Sequence, residues 1–358
     1  MADPAIMQML RVLRRQYFQL VEPHQLRWPD NVTLKMPTVQ AWLVREMFDA
    51  EQIKSPPPDR YQLRVLKLLI SKLEAAMEDP EEDEISDDLM SAMSSLLFSG
   101  IPSEADSAQQ KAYVTYAFPS PPTEDGASDE RTVTLLEARS VISSSGTTGL
   151  RTWEAALLLG SYLASAEGQT LIRGKRVFEL GAGTGMLSIL CAKHLKIAGI
   201  VATDGDEAVV DTIKTNAFLN GLDAHDSSRC VVRTAALKWG RRVDTATFQE
   251  DYGMEIPDVL LGADVTYDNI VIPRLVATLG QFFELNAALE VLISATIRNE
   301  QTFETFLNTC RRSGFSLALV DFPAVPEHQQ VGPYYPTSTR INIFSITKGQ
   351  ASEDPFAF

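Results

Sequence analysis

Residues 177–187, VFELGAGTGML, decide the fold. A buried strand ends at Leu180, and Gly181, Gly183 and Gly185 then let the backbone turn sharply and approach a ligand closely before a helix begins. A tight structural turn would use the same glycines, so the motif needs support from its surroundings. The next strand, IVATD at 200–204, ends in Asp204, about 20 residues beyond the glycines, where a carboxylate can accept two hydrogen bonds from a ribose diol. The bland alternative for Asp204 is a helix-entry residue.

Glu179 separates two ligand classes. An acidic group just ahead of the glycines repels a pyrophosphate, yet it can orient the cationic part of S-adenosylmethionine, directly or through water. That favours S-adenosylmethionine over NAD. Two tryptophans flank the same region: Trp153 begins the helix ahead of the glycine strand, and Trp239 follows the third strand in AALKWG at 235–240. Either can pack on a cofactor, although a lone tryptophan is more often core.

Farther out, from residue 175, the pattern alternates. Strand KRVFEL, helix GMLSILCAKHL, strand GIVATD, helix EAVVDTIKTNAFLNG, strand CVVRTAAL and strand PDVLLGAD are followed by a helix near 270–285, strand ALEVLISAT and a helix near 300–312. The expected fold is a doubly wound, mainly parallel α/β sheet with helices on both faces. The final strands, FSLALVDF and RINIFSIT, have no helix between them and are expected to pair antiparallel at one edge.

Ahead of this array, residues 1–110 read as a small helical module, with AIMQMLRVLRRQYFQLV, TVQAWLVREMF, YQLRVLKLLISKLEAAM and ISDDLMSAMSSLLFSG repeating apolar residues at helical spacing. Residues 111–140 read as a β-hairpin, KAYVTYAF and RTVTLLEA, around a Pro/Ser/acidic loop, and 351–358 as a tail. A Gly/Ser/Thr turn then enters a helix at Trp153, with Thr152 as the expected N-cap and Glu154 favourable in its first turn.

At 257–269, PDVLLGADVTYDN, an apolar run stops at Asp264 and is followed by Tyr267 and Asp268. These are either the working edge of a site or an ordinary strand end. Asp268 fits a cap of the following helix better than a catalytic role. Arg298 and Asn299 end a strand at the same edge and could contact substrate or hold the motif. The histidines, His24, His194, His225 and His328, are scattered and form no triad or metal constellation, so no metal is expected.

Composition narrows the classes. With 358 residues, 45% hydrophobic and 22% charged, the chain is in the globular range and long enough for two units. Its longest apolar runs fall well short of the roughly 18–20 residues a bilayer span requires. Lys plus Arg at 32 against Asp plus Glu at 47 gives a formal charge of -15, which opposes broad nucleic-acid binding. The N-terminus lacks a secretory pattern, and Cys191, Cys230 and Cys310 show no C-x-x-C spacing. A reducing compartment, most simply the cytoplasm, is expected.

Together, SSGTTGLRTWEAALLL, ELGAGTG, ATDGDEAVVDTIKTNAFLNG, LKWG, LLGADVTYD and SATIRNEQTFETF closely resemble the seven-strand protein methyltransferases of family 16, and within it the branch that methylates a lysine of translation elongation factor 2. The match runs from about 140 to 347, and LRWPD resembles the N-terminal region of that branch more loosely. The resemblance implies a Rossmann-like methyltransferase domain over 141–350, a protein substrate and S-adenosylmethionine as cofactor; a monomer without membrane or direct nucleic-acid partners is expected.

It also implies that Trp153, Gly181, Ala182, Gly183, Asp204, Trp239 and Ala263 contact the cofactor. Asp264 and Tyr267 then occupy an Asp-x-x-Tyr motif beside a lysine channel. Gly240 departs from the acidic residue that often follows the tryptophan in this family. A small-molecule methyltransferase, a non-catalytic cofactor-binding protein and a NAD-dependent oxidoreductase are the competing expectations.

Overall fold

The computed structural model describes residues 3–78, 84–101, 103, 110–119, 130–138, 148–222 and 230–349. The core of the acidic Pro/Ser loop, the Ser/Gly run ahead of Thr148 and the 351–358 tail lie outside these residues. The chain divides into two compact units, one of residues 1–117, 134–146 and 331–334, the other of 118–133, 147–330 and 335–358.

In the first unit, helices α1 (Pro4–Phe18), α2 (Asn31–Lys35), α3 (Pro37–Leu43), α4 (Asp59–Ala76) and α5 (Asp87–Phe98) enclose a core that includes Leu13, Tyr17, Leu43, Leu66 and Leu69. α1 starts where Asp3 accepts from the Ala5 amide and Pro4 presets the first turn. Its buried residues Leu10, Leu13 and Tyr17 fall on one stripe at spacings of three and four. A segment from far along the chain completes this unit: the Tyr334 hydroxyl donates to the Val12 carbonyl at 3.2 Å, and Arg15 donates to the Val331 carbonyl at 2.9 Å. Strands β1 (Lys111–Phe118) and β2 (Arg131–Ala138) pair as a two-stranded sheet.

The second unit holds α6 (Glu154–Ala164), α7 (Ala166–Ile172), β3 (Arg176–Leu180), α8 (Met186–His194), β4 (Gly199–Asp204), α9 (Glu207–Leu219), β5 (Val232–Ala236), α10 (Phe248–Tyr252), β6 (Val259–Ala263), α11 (Ile272–Leu285), β7 (Glu290–Thr296), α12 (Glu300–Arg312), β8 (Phe315–Leu319) and β9 (Ile341–Lys348). The sheet order is β5-β4-β3-β6-β7-β9-β8. All pairings are parallel except those of β9, which runs antiparallel to both β7 and β8. This is the doubly wound seven-strand fold expected from the alternation, with the antiparallel closing strand.

The apolar content of the central strands follows from their position. Val177, Phe178 and Leu180 of β3 and Val259, Leu260 and Leu261 of β6 are all buried, because helices cover both faces. α11 contributes Leu275, Leu279 and Phe282, spaced four and three apart, to the core that also takes Phe178 and Leu260.

One local expectation is corrected. Thr152 does not cap α6; Trp153 occupies the cap position without a side-chain hydrogen bond. The Thr152 hydroxyl instead bonds the Thr184 hydroxyl at 2.7 Å, inside the glycine turn. Helix α7 was not anticipated; Ser165, accepting from the Gly168 amide, starts it directly after α6. No helix among the described residues is long and apolar enough to cross a membrane.

Candidate active site

Strand order reverses between β3 and β6, one leading out toward β5 and the other toward β8. In a parallel sheet such a switch point leaves a crevice beyond the carboxyl ends of the strands. Register places those ends level: Leu180 pairs with Thr203 and Gly262, Asp204 with Ala236, and Ala263 with Ser294. A cleft of about 640 Å³ opens here, within the range of small-molecule sites. Every site residue expected from the sequence lines it: Trp153, Glu179, Gly181, Ala182, Gly183, Asp204, Trp239, Ala263, Asp264 and Tyr267.

The glycine turn is built by backbone conformation. Gly181 and Gly183 have φ of 64° and 56°, in the left-handed region where a side chain is strained. Space is also short: a Cβ on Gly181 would sit 2.9 Å from Val265 and 3.1 Å from the Trp239 ring, and one on Gly183 would lie 3.3 Å from the Gly149 carbonyl oxygen. The turn is anchored on both sides. The Ala182 amide donates to the Thr203 carbonyl at 2.8 Å, and Asn216 of α9 donates to the Thr184 carbonyl at 2.9 Å.

Asp204 closes this half of the cleft. Its carboxylate accepts from the amides of Gly183 and Asp206, each at 3.2 Å, so it is held at the mouth of the turn with lone pairs to spare. Burial raises its pKa, opposed by these amide bonds. Asp206 has a separate task, capping α9 by accepting from the Ala208 amide at 2.8 Å.

Glu179 is 3% exposed and accepts from the Ser188 amide at 3.0 Å and from the Ser188 hydroxyl. Burial pushes its carboxyl up to about 8, the Ser188 hydrogen bonds oppose that rise, and the charge of Asp204 adds to it. Ser188 lies in the first turn of α8, where its amide has no partner within the helix; nothing in the sequence marked it as a partner of Glu179.

On the other side, the apolar strand β6 turns out of the sheet at Asp264, whose φ is 52°, a left-handed conformation that Asp tolerates better than most side chains. The Asp264 amide still donates to the Ser294 carbonyl at 2.9 Å. Two residues along β7, the carboxylate takes over the ladder: Oδ1 accepts from the Thr296 amide at 2.8 Å and Oδ2 from the Thr296 hydroxyl at 3.1 Å. Asp264 therefore pins the end of β7 as well as facing the cleft. Burial raises its pKa; Thr296 and Arg298 counteract.

Arg298 links three of these groups. It donates to Glu154 Oε2 at 2.6 Å, stands 3.6 Å from Asp264 Oδ1 and lies over the Trp153 ring, 5.0 Å from its centroid. The Trp153 indole donates to the Thr148 carbonyl at 3.1 Å, which fixes the ring. Tyr267, 65% exposed, stands at the rim. Asp268 accepts from the Ile270 amide at 2.8 Å in the turn ahead of α11, and Asn299 caps α12 by accepting from the Thr302 amide at 3.0 Å. Gly240 has φ of 84°, and its amide donates to the Thr278 hydroxyl at 2.9 Å.

The cleft fits S-adenosylmethionine by its own chemistry. A glycine-rich turn that lines the cleft admits a ligand close to its backbone, Asp204 offers a carboxylate to a diol, and Glu179 is a buried acid with no cation bonded to it in the described structure. The comparisons agree. A family model described as Lysine methyltransferase matches residues 134–313. Protein-lysine N-methyltransferase EFM3 of Chaetomium thermophilum is 44% identical over 333 residues, 93% of this chain and 96% of that protein. Protein-lysine N-methyltransferase EEF2KMT of Homo sapiens is 31% identical over 288 residues, 78% and 76% of the two chains. EFM3 of Saccharomyces cerevisiae is 31% identical over 233 residues, 60% of this chain and 66% of that one. Identity of this level, sustained over nearly the whole chain and carried on a sheet of this order, makes the chain a member of the lysine methyltransferase family and an S-adenosylmethionine-dependent protein-lysine N-methyltransferase.

Proposed function

We propose that this chain methylates a lysine of translation elongation factor 2, and that the lysine enters the cleft past Tyr267 toward Asp264. The observation that carries the site is the meeting, in one cleft, of the glycine turn and Asp204 with Asp264 and Tyr267. The choice of substrate is supported by the GTTGLRTW and TIRN segments, which within the family resemble the elongation factor 2 branch in particular. On this reading the enzyme works in the cytoplasm with the translation machinery, residues 1–110 dock the protein substrate, and 141–350 perform the transfer.

Gly181, Ala182, Gly183, Trp153, Trp239 and Ala263 would hold the cofactor, Asp204 its ribose and Glu179 its cationic end. Bound S-adenosylmethionine supplies an electrophilic methyl on a sulfonium; as the amine nitrogen forms the new N–C bond the C–S bond breaks, leaving a neutral thioether. The protein must therefore deliver an amine with a free lone pair, aligned within the cleft. Asp264 serves orientation: each carboxyl oxygen accepts one bond from Thr296 and keeps capacity for an amine N–H. The proton leaves to water before attack, since a carboxylate beside the nitrogen favours the ammonium. The Tyr267 face can steady the methylated ammonium by cation–π attraction of about 0.5 to 2 kcal/mol.

The test is incubation of the purified protein with methyl-labelled S-adenosylmethionine and a cell extract, followed by identification of the labelled residue. Label on a lysine of elongation factor 2 is expected. Label on another polypeptide, or on arginine, refutes the substrate.

A further inference from the structure

Arg298 fills the ground between two carboxylates that flank the proposed lysine entry. Glu154 comes from the first turn of α6, Asp264 from the end of β6 and Arg298 from just past β7, so three separate segments converge on one guanidinium. The two carboxylates are largely buried, the side chains of Asp264 and Glu154 being 9% and 19% exposed, while the Arg298 side chain that joins them is 43% exposed and reaches solvent. The Trp153 face beneath the guanidinium fixes its third direction.

The reaction sets a requirement on this arrangement. A carboxylate near the target amine attracts it as an ammonium and then holds its proton in place. With Glu154 and Asp264 both ionised and uncompensated, the amine would be delivered in the form that cannot attack. Arg298 reduces that pair to a single net negative charge. The remaining charged and titratable groups facing the cleft from this side are Arg151 ahead of α6, 5.7 Å from the Trp153 centroid, Lys238 after β5, Arg274 on α11 and Tyr267. Among the described residues none of these pairs or hydrogen bonds with Asp264 or Glu154, so the local balance turns on Arg298.

We propose that Arg298 is a positioning residue that sets the acidity of the substrate lysine, offsetting the Glu154 and Asp264 carboxylates so that the amine can shed its proton near neutral pH. The inference rests on the reading of this cleft as the lysine site. Removing the guanidinium leaves Glu154 and Asp264 without their shared counter-charge, an extra unit of negative charge beside the proposed lysine entry that would raise the amine pKa by about one unit.

The experiment uses the full chain with elongation factor 2 as substrate, comparing wild type, Arg298→Met and Arg298→Lys. Single-turnover rates between pH 6.5 and 10 are read alongside calorimetric affinity for S-adenosylmethionine. For Arg298→Met the rate profile is expected to move up by about one pH unit, giving a loss approaching tenfold at pH 6.5 that shrinks to within about twofold by pH 9, with cofactor affinity within about twofold of wild type. Arg298→Lys, which keeps the charge, restores the wild-type midpoint. A rate loss in Arg298→Met that is the same at every pH, or an unmoved profile, overturns the inference.

If the wild type transfers nothing to elongation factor 2, the substrate reading fails separately, and the charge role is then decided on the cofactor-free protein. There the Asp264 carboxyl, followed by 13C NMR, must titrate at higher pH in Arg298→Met than in wild type. An unchanged midpoint rejects it.

Discussion

Replacing Glu179 with Gln converts a buried titrating group into a neutral one of the same shape. In the wild type the carboxyl is pushed from 4.5 to about 8, chiefly by burial and further by Asp204, against the opposing Ser188 hydrogen bonds. The folded-state value lies above the unfolded one, so between about pH 4.5 and 8 the native protein keeps a proton that the unfolded chain has released. Unfolding free energy must therefore fall as pH rises through that window and level off above it. At about 1.4 kcal/mol per pH unit, the decline from this group is of order a few kcal/mol.

Gln keeps a carbonyl that can accept from the Ser188 amide and hydroxyl, and removes the titration. Urea unfolding of the cofactor-free proteins from pH 4.5 to 8.5 measures the difference. Glu179→Gln is expected to gain on wild type steadily with pH, reaching a few kcal/mol at pH 8.5. Parallel curves, or a wild type that gains on the variant toward pH 8.5, would refute the reasoning. Cofactor binding reads the same group: a cation near Glu179 favours the carboxylate, so wild type should release a proton on binding near pH 7 and the Gln variant should not, as calorimetry in buffers of different ionisation enthalpy will show.

Gly183→Ala forces a side chain into a left-handed turn and against the Gly149 carbonyl, which should lower stability by about 1–2 kcal/mol and weaken S-adenosylmethionine binding several-fold in titration calorimetry. Unchanged affinity would separate that turn from the cofactor. Asp264→Asn suits the φ of 52° and keeps an acceptor for Thr296, so it should fold within about 1 kcal/mol of wild type while methyl transfer is lost. Asp264→Ala should add a stability loss of about 1–3 kcal/mol from the unpaired Thr296 amide, with the cofactor still bound. Full transfer activity in either variant would end the assignment of Asp264.

The doubly wound sheet was readable because each strand is a local apolar run closed by a turn signal, and because no helix separates FSLALVDF from RINIFSIT. Insertion of β9 between β7 and β8 was not readable, since strand order is settled by long-range pairing. Strand ends likewise announced Asp204 and Asp264, whereas their partners stayed hidden. Thr152 looked like a cap because Ser and Thr often are, yet its hydroxyl reaches Thr184 across the fold. Glu154 read only as a favourable first-turn charge; its pairing with Arg298 spans 144 residues and leaves no local trace. Ser188 sits in an apolar helix whose periodicity says nothing of a buried acid opposite it.

The position of β9 has a consequence for biosynthesis. β8 is made before β9 but pairs only with it, and β7 has no neighbour on that side until β9 arrives. Throughout synthesis of residues 297–340 the nascent sheet presents the open edge of β7, flanked by apolar Val291 and Ile293, to its surroundings. A nonsense mutation between Leu319 and Ile341 thus removes the join for two strands at once, although the glycine turn, Asp204 and Asp264 are all already in the chain. Messages truncated there should yield insoluble protein cleared by quality control, instead of a weakened enzyme.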